Sequence, residues 1–132
     1  MVLEKVIRLA NKHLLLVRTL TIVWVLIIAV LCIIPQEDLP KAGGIPHFDK
    51  FVHFVLYFIL AVLSLVVFHA SRPSAKIFLL LSIFIFSLFI EVMQGILPFG
   101  RTFSGTDLLA NLSGILAGLL LFQRKINTYP VK

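Results

Sequence analysis

Residues 77–97, IFLLLSIFIFSLFIEVMQGIL, are apolar but for Ser82, Ser87, Glu91 and Gln94. A run of about 20 such residues rises roughly 30 Å as an α-helix, the thickness of a bilayer's hydrocarbon core. Working outward, three more segments read the same way. Residues 14–34 end at Pro35, and residues 51–70 end at Ser71-Arg72-Pro73. Residues 107–122 are shorter and rich in Gly and Ala. Arg18 lies near the entrance of the first span, where its side chain can snorkel to the headgroups. Composition agrees: 60% of the 132 residues are hydrophobic and 14% charged, against about 25% charged in soluble domains. The mean hydropathy is +1.07. The excess apolar surface is expected to face lipid. The fold class is all-α, a polytopic four-transmembrane-helix bundle.

The net charge of +6 does not point to nucleic acid. No Lys/Arg stripe with interleaved aromatics is present, and basic residues flanking membrane segments fix orientation instead. Cys32 is the single cysteine, so no intrachain disulfide forms, and its apolar setting reads as packing or lipid contact. No A-x-A-like site follows Ile34, so the first segment is expected to stay as a helix rather than be cleaved.

Turn chemistry marks the connections: Pro35, Gly43-Gly44 and Pro46 in the first, Pro98 and Gly100 in the third. Ser104, three residues before Asp107, has capping-box spacing. Residues 1–13 place Leu3, Ile7, Ala10 and Leu14 at helical spacing among Glu4, Lys5, Arg8 and Lys12, an amphipathic interfacial segment. Residues 14–122 form the bundle, and 123–132 a basic tail. Nine Lys/Arg fall in the N-terminal segment, the second loop and the tail: Lys5, Arg8, Lys12, Arg18, Arg72, Lys76, Arg124, Lys125 and Lys132. Only Lys41, Lys50 and Arg101 fall in the other two loops. The imbalance puts both termini in the cytoplasm of a multi-pass inner-membrane protein.

With that orientation the polar residues gather toward the outer side. Asp49, His53 and Tyr57 are four apart and share a helical face near the start of the second span. Glu91 and Gln94 lie near the outer end of the third, and Asp107 and Asn111 at the start of the fourth. Arg101 stands in the loop between. A carboxylate at the bilayer centre costs about 2.5–3.5 kcal/mol on insertion scales, so Glu91 needs partners; Arg101, His53 and Gln94 are the candidates. Ala110, Gly114 and Gly118 make a small-residue face that allows close helix approach, within the chain or in an oligomer through Gly114 and Gly118.

These residues carry a family resemblance. Asp49-Lys50-x-x-His53-Phe54-x-x-Tyr57-Phe58, then Glu91-x-x-Gln94, then Pro98, Arg101 and Ser104, then Asp107-x-x-x-Asn111-x-x-Gly114, resemble the ordered signature of the VanZ-like family. The match runs from about Pro35 to Leu121 with no departure at the signature positions. The resemblance implies a bacterial inner-membrane protein with an envelope role, and it carries an association with resistance to the glycopeptide teicoplanin. The family name does not fix a reaction.

Three functions compete. The first is binding or shielding of a lipid-linked cell-wall precursor or other amphiphile. Lys50, Arg101 and His53 would meet an anionic group, and Asp49, Tyr57, Glu91, Gln94, Ser104, Asp107 and Asn111 would complete the site. The second is a lipid-headgroup enzyme using Glu91, His53 and Asp107 in acid–base chemistry. No Ser or Cys nucleophile motif, P-loop or H-E-x-x-H occurs. The third is a small lipid or solute transporter, which the apolar inner halves of the spans disfavour. No cofactor is expected. His53, Glu91 and Asp107 could bind a divalent ion, but their spacing across three helices is not diagnostic of one, and no metal is assigned.

Overall fold

The computed structural model describes residues 12–38, 47–68 and 73–126. Among them the chain forms four long helices, α1 Leu14–Ile33, α2 Phe48–Val67, α3 Pro73–Ile96 and α4 Gly105–Ile126, with a short 3-10 turn at Gln36–Asp38. Each helix is long and apolar enough to cross a membrane: Leu14–Leu31, Phe48–Val67, Pro73–Ile96 and Gly105–Phe122. A helix satisfies its own backbone polar groups, the condition lipid imposes on any spanning segment. The four-helix membrane bundle expected from sequence is the fold observed.

Several boundaries move. α2 begins at Phe48 rather than Phe51, after His47 in the left-handed region at φ 59. Asp49 and Lys50 enter the first turn because they neutralise each other at 2.8 Å. α3 begins at Pro73, which the first helical position tolerates because its missing N–H would have no helical partner there. α4 starts at Gly105 and runs on to Ile126, so residues 123–126 extend the helix instead of opening a separate tail. Residues 1–11 of the expected amphipathic segment, the turn residues Gly43, Gly44 and Pro46, and residues 127–132 lie outside the described residues.

α2 packs against α1, α3 and α4, most extensively against α4. The reason lies in α4. A Cβ at Gly114 would run into the Phe54 carbonyl oxygen and stand 3.0 Å from the Phe58 nitrogen. One at Gly118 would lie 2.9 Å from Ala61 Cβ. Only hydrogen leaves room for the α2 backbone at these positions. Gly114 and Gly118 are therefore buried against α2 of the same chain. Ile28, Tyr57, Leu60, Ala61, Ile83, Ile90 and Ile115 form the main apolar core. Trp24 Nε1 donates to the Leu56 carbonyl at 2.9 Å, joining α1 to α2.

Outside this core, Leu15, Ile22, Leu26, Phe78, Ile85, Phe89, Leu109 and Leu120 point away from the bundle. An apolar exterior of this extent matches a lipid solvent. Successive helices alternate in direction. The C-terminal ends of α1 and α3 and the N-terminal ends of α2 and α4 thus share one end of the bundle, and cross-links there tie them together.

Candidate functional site

The α3–α4 connection builds the frame. Gly100 takes φ 70, a conformation that glycine adopts without a Cβ penalty. Four residues on, Ser104 caps α4: its Oγ accepts the Asp107 N–H at 3.3 Å, and its carbonyl accepts the Leu108 N–H at 3.1 Å. In an ordinary capping box the acidic side chain at the third helical position reaches back to the N–H of the cap residue. Here Asp107 holds that position but turns elsewhere. Glu91, from α3, takes its place, with Oε2 accepting the Ser104 N–H at 3.4 Å. The carboxylate also meets the positive end of the α4 dipole. One side chain thereby fixes the end of α3 to the start of α4.

Asp107 turns toward α2. Its Oδ1 accepts Lys50 Nζ at 3.0 Å, while Lys50 also holds Asp49 at 2.8 Å. His53, one turn along α2 from Asp49, sits among three partners. Nδ1 is 3.0 Å from Asn111 Oδ1 and 3.5 Å from Glu91 Oε1, and Nε2 is 3.9 Å from Asp107 Oδ2. An amide oxygen can only accept, so Nδ1 donates to Asn111.

Exposure is graded through the cluster. The Asp49 side chain is 60% exposed, Lys50 31%, Asp107 15% and His53 11%, while Glu91 and Asn111 are fully enclosed. The site is a polar shaft of packed side chains rather than a cavity: charged at its exposed rim, fully buried at its base, and set in an apolar exterior. At the base, Glu91 Oε1, Asn111 Nδ2 and Ser87 Oγ are buried and make no hydrogen bond among the described residues.

Against the sequence expectations, His53, Glu91, Asp107 and Asn111 converge, with Lys50 and Ser104 joined to them. Tyr57 and Gln94 are buried one turn beyond His53 and Glu91 on their own helices. Asp49 departs from the expected cluster: it lies one turn before His53 but stays at the exposed rim, pairing with its neighbour Lys50. Arg101 also departs: its Nη1 donates to the Leu31 carbonyl at 2.9 Å. Leu31 lies in the last turn of α1, where carbonyls lack helical partners and attract cations, so Arg101 anchors α1 instead of pairing with Glu91. Ser87 is the base residue that sequence reasoning passed over; its place four residues before Glu91, one turn down the same face, was the available signal.

The sequence model described as VanZ/LLP1 matches residues 6–126. No curated protein matches the chain, and neither does any solved structure.

Proposed function

The chain belongs to the VanZ/LLP1 family, and from that premise we propose that it binds the polar head of an amphiphilic cell-envelope molecule at the outer end of the bundle. The observation that carries this reading is the graded shaft. Lys50 and Asp107, partly exposed charges, stand at its rim beside a surface suited to acyl chains. An anionic headgroup would displace the exposed Asp49 from Lys50 while Asp107 keeps the ammonium in place. His53, whose Nδ1 hydrogen is held by Asn111, would accept a hydrogen bond from a headgroup hydroxyl at Nε2. The Lys/Arg bias supports cytoplasmic termini, and on that orientation this end of the bundle faces outward. Shielding a lipid-linked wall precursor there would account for the family's association with teicoplanin resistance.

The acid–base reading is weaker. Glu91, its first candidate, is fully buried in this arrangement and would have to be uncovered to meet a substrate. Transport is weaker still, since below Ser87 and Ser64 the interior is apolar.

The test uses the purified full chain in maltoside detergent, with a short-chain polyprenyl phosphate and the matching alcohol as probes, read by native mass spectrometry. A hydrogen bond to a charged group contributes about 1.5–3 kcal/mol, so Lys50→Gln should weaken the phosphate roughly ten- to hundred-fold. Equal retention of phosphate and alcohol, or no effect of Lys50→Gln, would overturn the proposal.

A further inference from the structure

Headgroup binding at the rim leaves the base of the shaft unexplained. His53, Glu91 and Asp107 each offer one ligand atom, and the three atoms lie within 4.8 Å of one another. Each residue is also held from behind through a different atom. Asn111 Oδ1 takes the His53 Nδ1 hydrogen, which leaves the lone pair of the neutral ring on Nε2. Lys50 holds Asp107 by Oδ1, leaving Oδ2 turned toward the His53 ring. The Ser104 N–H holds Glu91 by Oε2, leaving Oε1 buried without a hydrogen bond among the described residues. Glu91 Oε1 lies 3.5 Å from Nδ1 and Asp107 Oδ2 lies 3.9 Å from Nε2, so the two carboxylates approach the ring from different nitrogens, and an ion on Nε2 would draw Oε1 across to it. Two carboxylates and an imidazole gathered this closely, each oriented by its own outer partner, have the construction of a metal site.

Charge points the same way. Glu91 is a fully buried carboxylate whose hydrogen bond is a 3.4 Å contact to a neutral amide. The guanidinium that the sequence places near it is bonded to the Leu31 carbonyl. Its nearest cationic partner is the His53 ring, 3.5 Å from Oε1 and charged only when protonated; with that ring neutral, the buried carboxylate calls for a cation.

We propose that His53, Glu91 and Asp107 bind a single divalent transition ion, of the zinc or manganese class that accepts one imidazole with two carboxylates. At metal–ligand distances of about 2.0–2.2 Å, donors in a tetrahedral shell stand roughly 3.4 Å apart. The side chains close around the ion by drawing in about 1 Å. Three protein ligands leave a further position for water or an anion. Spacing along the sequence gave no reason to expect a metal; convergence in space supplies it. The site does not depend on the headgroup reading, because ion binding is measured with no headgroup present.

The experiment uses the full chain carrying His13→Ala, His47→Ala and His69→Ala, so that His53 is its single histidine. After chelator treatment in maltoside detergent it is titrated with Zn2+ or Mn2+ by calorimetry, and with Co2+ by visible absorption and proton NMR. One ion per chain is expected, with a paramagnetically shifted imidazole N–H from Nδ1. Glu91→Gln and Asp107→Asn should each lower affinity at least ten-fold. Lys50→Gln keeps all three ligands and a donor to Asp107, so one ion per chain should still bind, whereas the same variant weakens phosphate retention; failure of one reading is thus distinguishable from failure of the other. Absence of stoichiometric binding would overturn the site, as would equal affinity in folded Glu91→Gln and Asp107→Asn. A protonated His53 that itself compensates Glu91 would show as no binding. If both carboxylate variants fail to fold, the N–H resonance decides: Co2+ binding without the shift overturns the site.

Discussion

Replacing Gly114 with Ala probes the seam on which the site depends. The added Cβ would collide with the Phe54 carbonyl oxygen and stand 3.0 Å from the Phe58 nitrogen and 3.1 Å from the Phe54 carbonyl carbon. These are backbone atoms of α2 and cannot rotate away. Non-bonded carbon contacts are most favourable near 3.5–4.0 Å, so the helices must part by roughly 0.5–1 Å, which forfeits a quarter to a half of each contact along the seam. Overpacking of this kind costs about 1–3 kcal/mol. The effect reaches the site, because Asn111 lies one turn before Gly114 and its 3.0 Å contact with His53 crosses the same seam. Stretching that contact removes an interhelical hydrogen bond contributing about 0.6–1.7 kcal/mol. The combined loss is roughly 2–5 kcal/mol. It can be read by detergent-induced unfolding in mixed micelles, followed by the fluorescence of Trp24, the single tryptophan. Gly105→Ala is the control, since a Cβ there meets nothing within 4 Å, and it should stay within about 0.5 kcal/mol of the parent. A Gly114→Ala chain as stable as that control would refute the close α2–α4 contact.

Other perturbations test the frame around the site. Ser104→Ala should destabilise by about 1 kcal/mol in the same unfolding assay and Ser104→Gly by only a few tenths, the order expected of an N-cap. Glu91→Ala should accumulate less in the membrane and unfold earlier than Glu91→Gln. Alanine leaves the part-buried Ser104 N–H without this partner, at up to about 1–3 kcal/mol, whereas glutamine keeps an acceptor for it. Arg101→Gln should speed hydrogen exchange at the end of α1 roughly ten-fold or more, since a charge-assisted bond to the Leu31 carbonyl is lost. Unchanged exchange there would remove Arg101 from its anchoring role. Cysteine labelling at Lys41 and Ser74 in a Cys32→Ser background should reach only Lys41 from outside, and the reverse pattern would invert the proposed orientation.

Much of this was legible in the sequence because lipid makes the pattern simple: a spanning helix must be long and apolar, and its exceptions stand out. Glu91, His53, Asp107 and Asn111 were visible as such exceptions, and their shared depth followed from counting residues along alternating helices. What stayed hidden depends on contacts across helices. The 77–97 run does not say that Glu91 caps a neighbouring helix, since a backbone N–H has no signature in sequence. Arg101 was assigned to a carboxylate because charge pairs with charge; the competing acceptor was a main-chain carbonyl at the end of α1. The Gly114 and Gly118 face announced close approach without naming the partner, and the partner is α2. The helix starts at Phe48 and Pro73 lie earlier than hydropathy placed them, because a neutralised Asp49–Lys50 pair and a first-turn proline are both compatible with helix.

The central claim is that α2, α3 and α4 bring His53, Glu91 and Asp107 into one enclosed cluster. Solid-state NMR in lipid bilayers measures this directly, through dipolar coupling between 15N in the ring of His53, made the single histidine, and 13C in the side-chain carboxyl groups. With ring nitrogens 3.5 Å from a Glu91 oxygen and 3.9 Å from an Asp107 oxygen, strong dephasing is expected to one glutamate and one aspartate carboxyl. It should fall away selectively in Glu91→Gln and Asp107→Asn. A His53 ring with no carboxyl carbon within about 6 Å, beyond any direct hydrogen-bonded contact, would contradict the account.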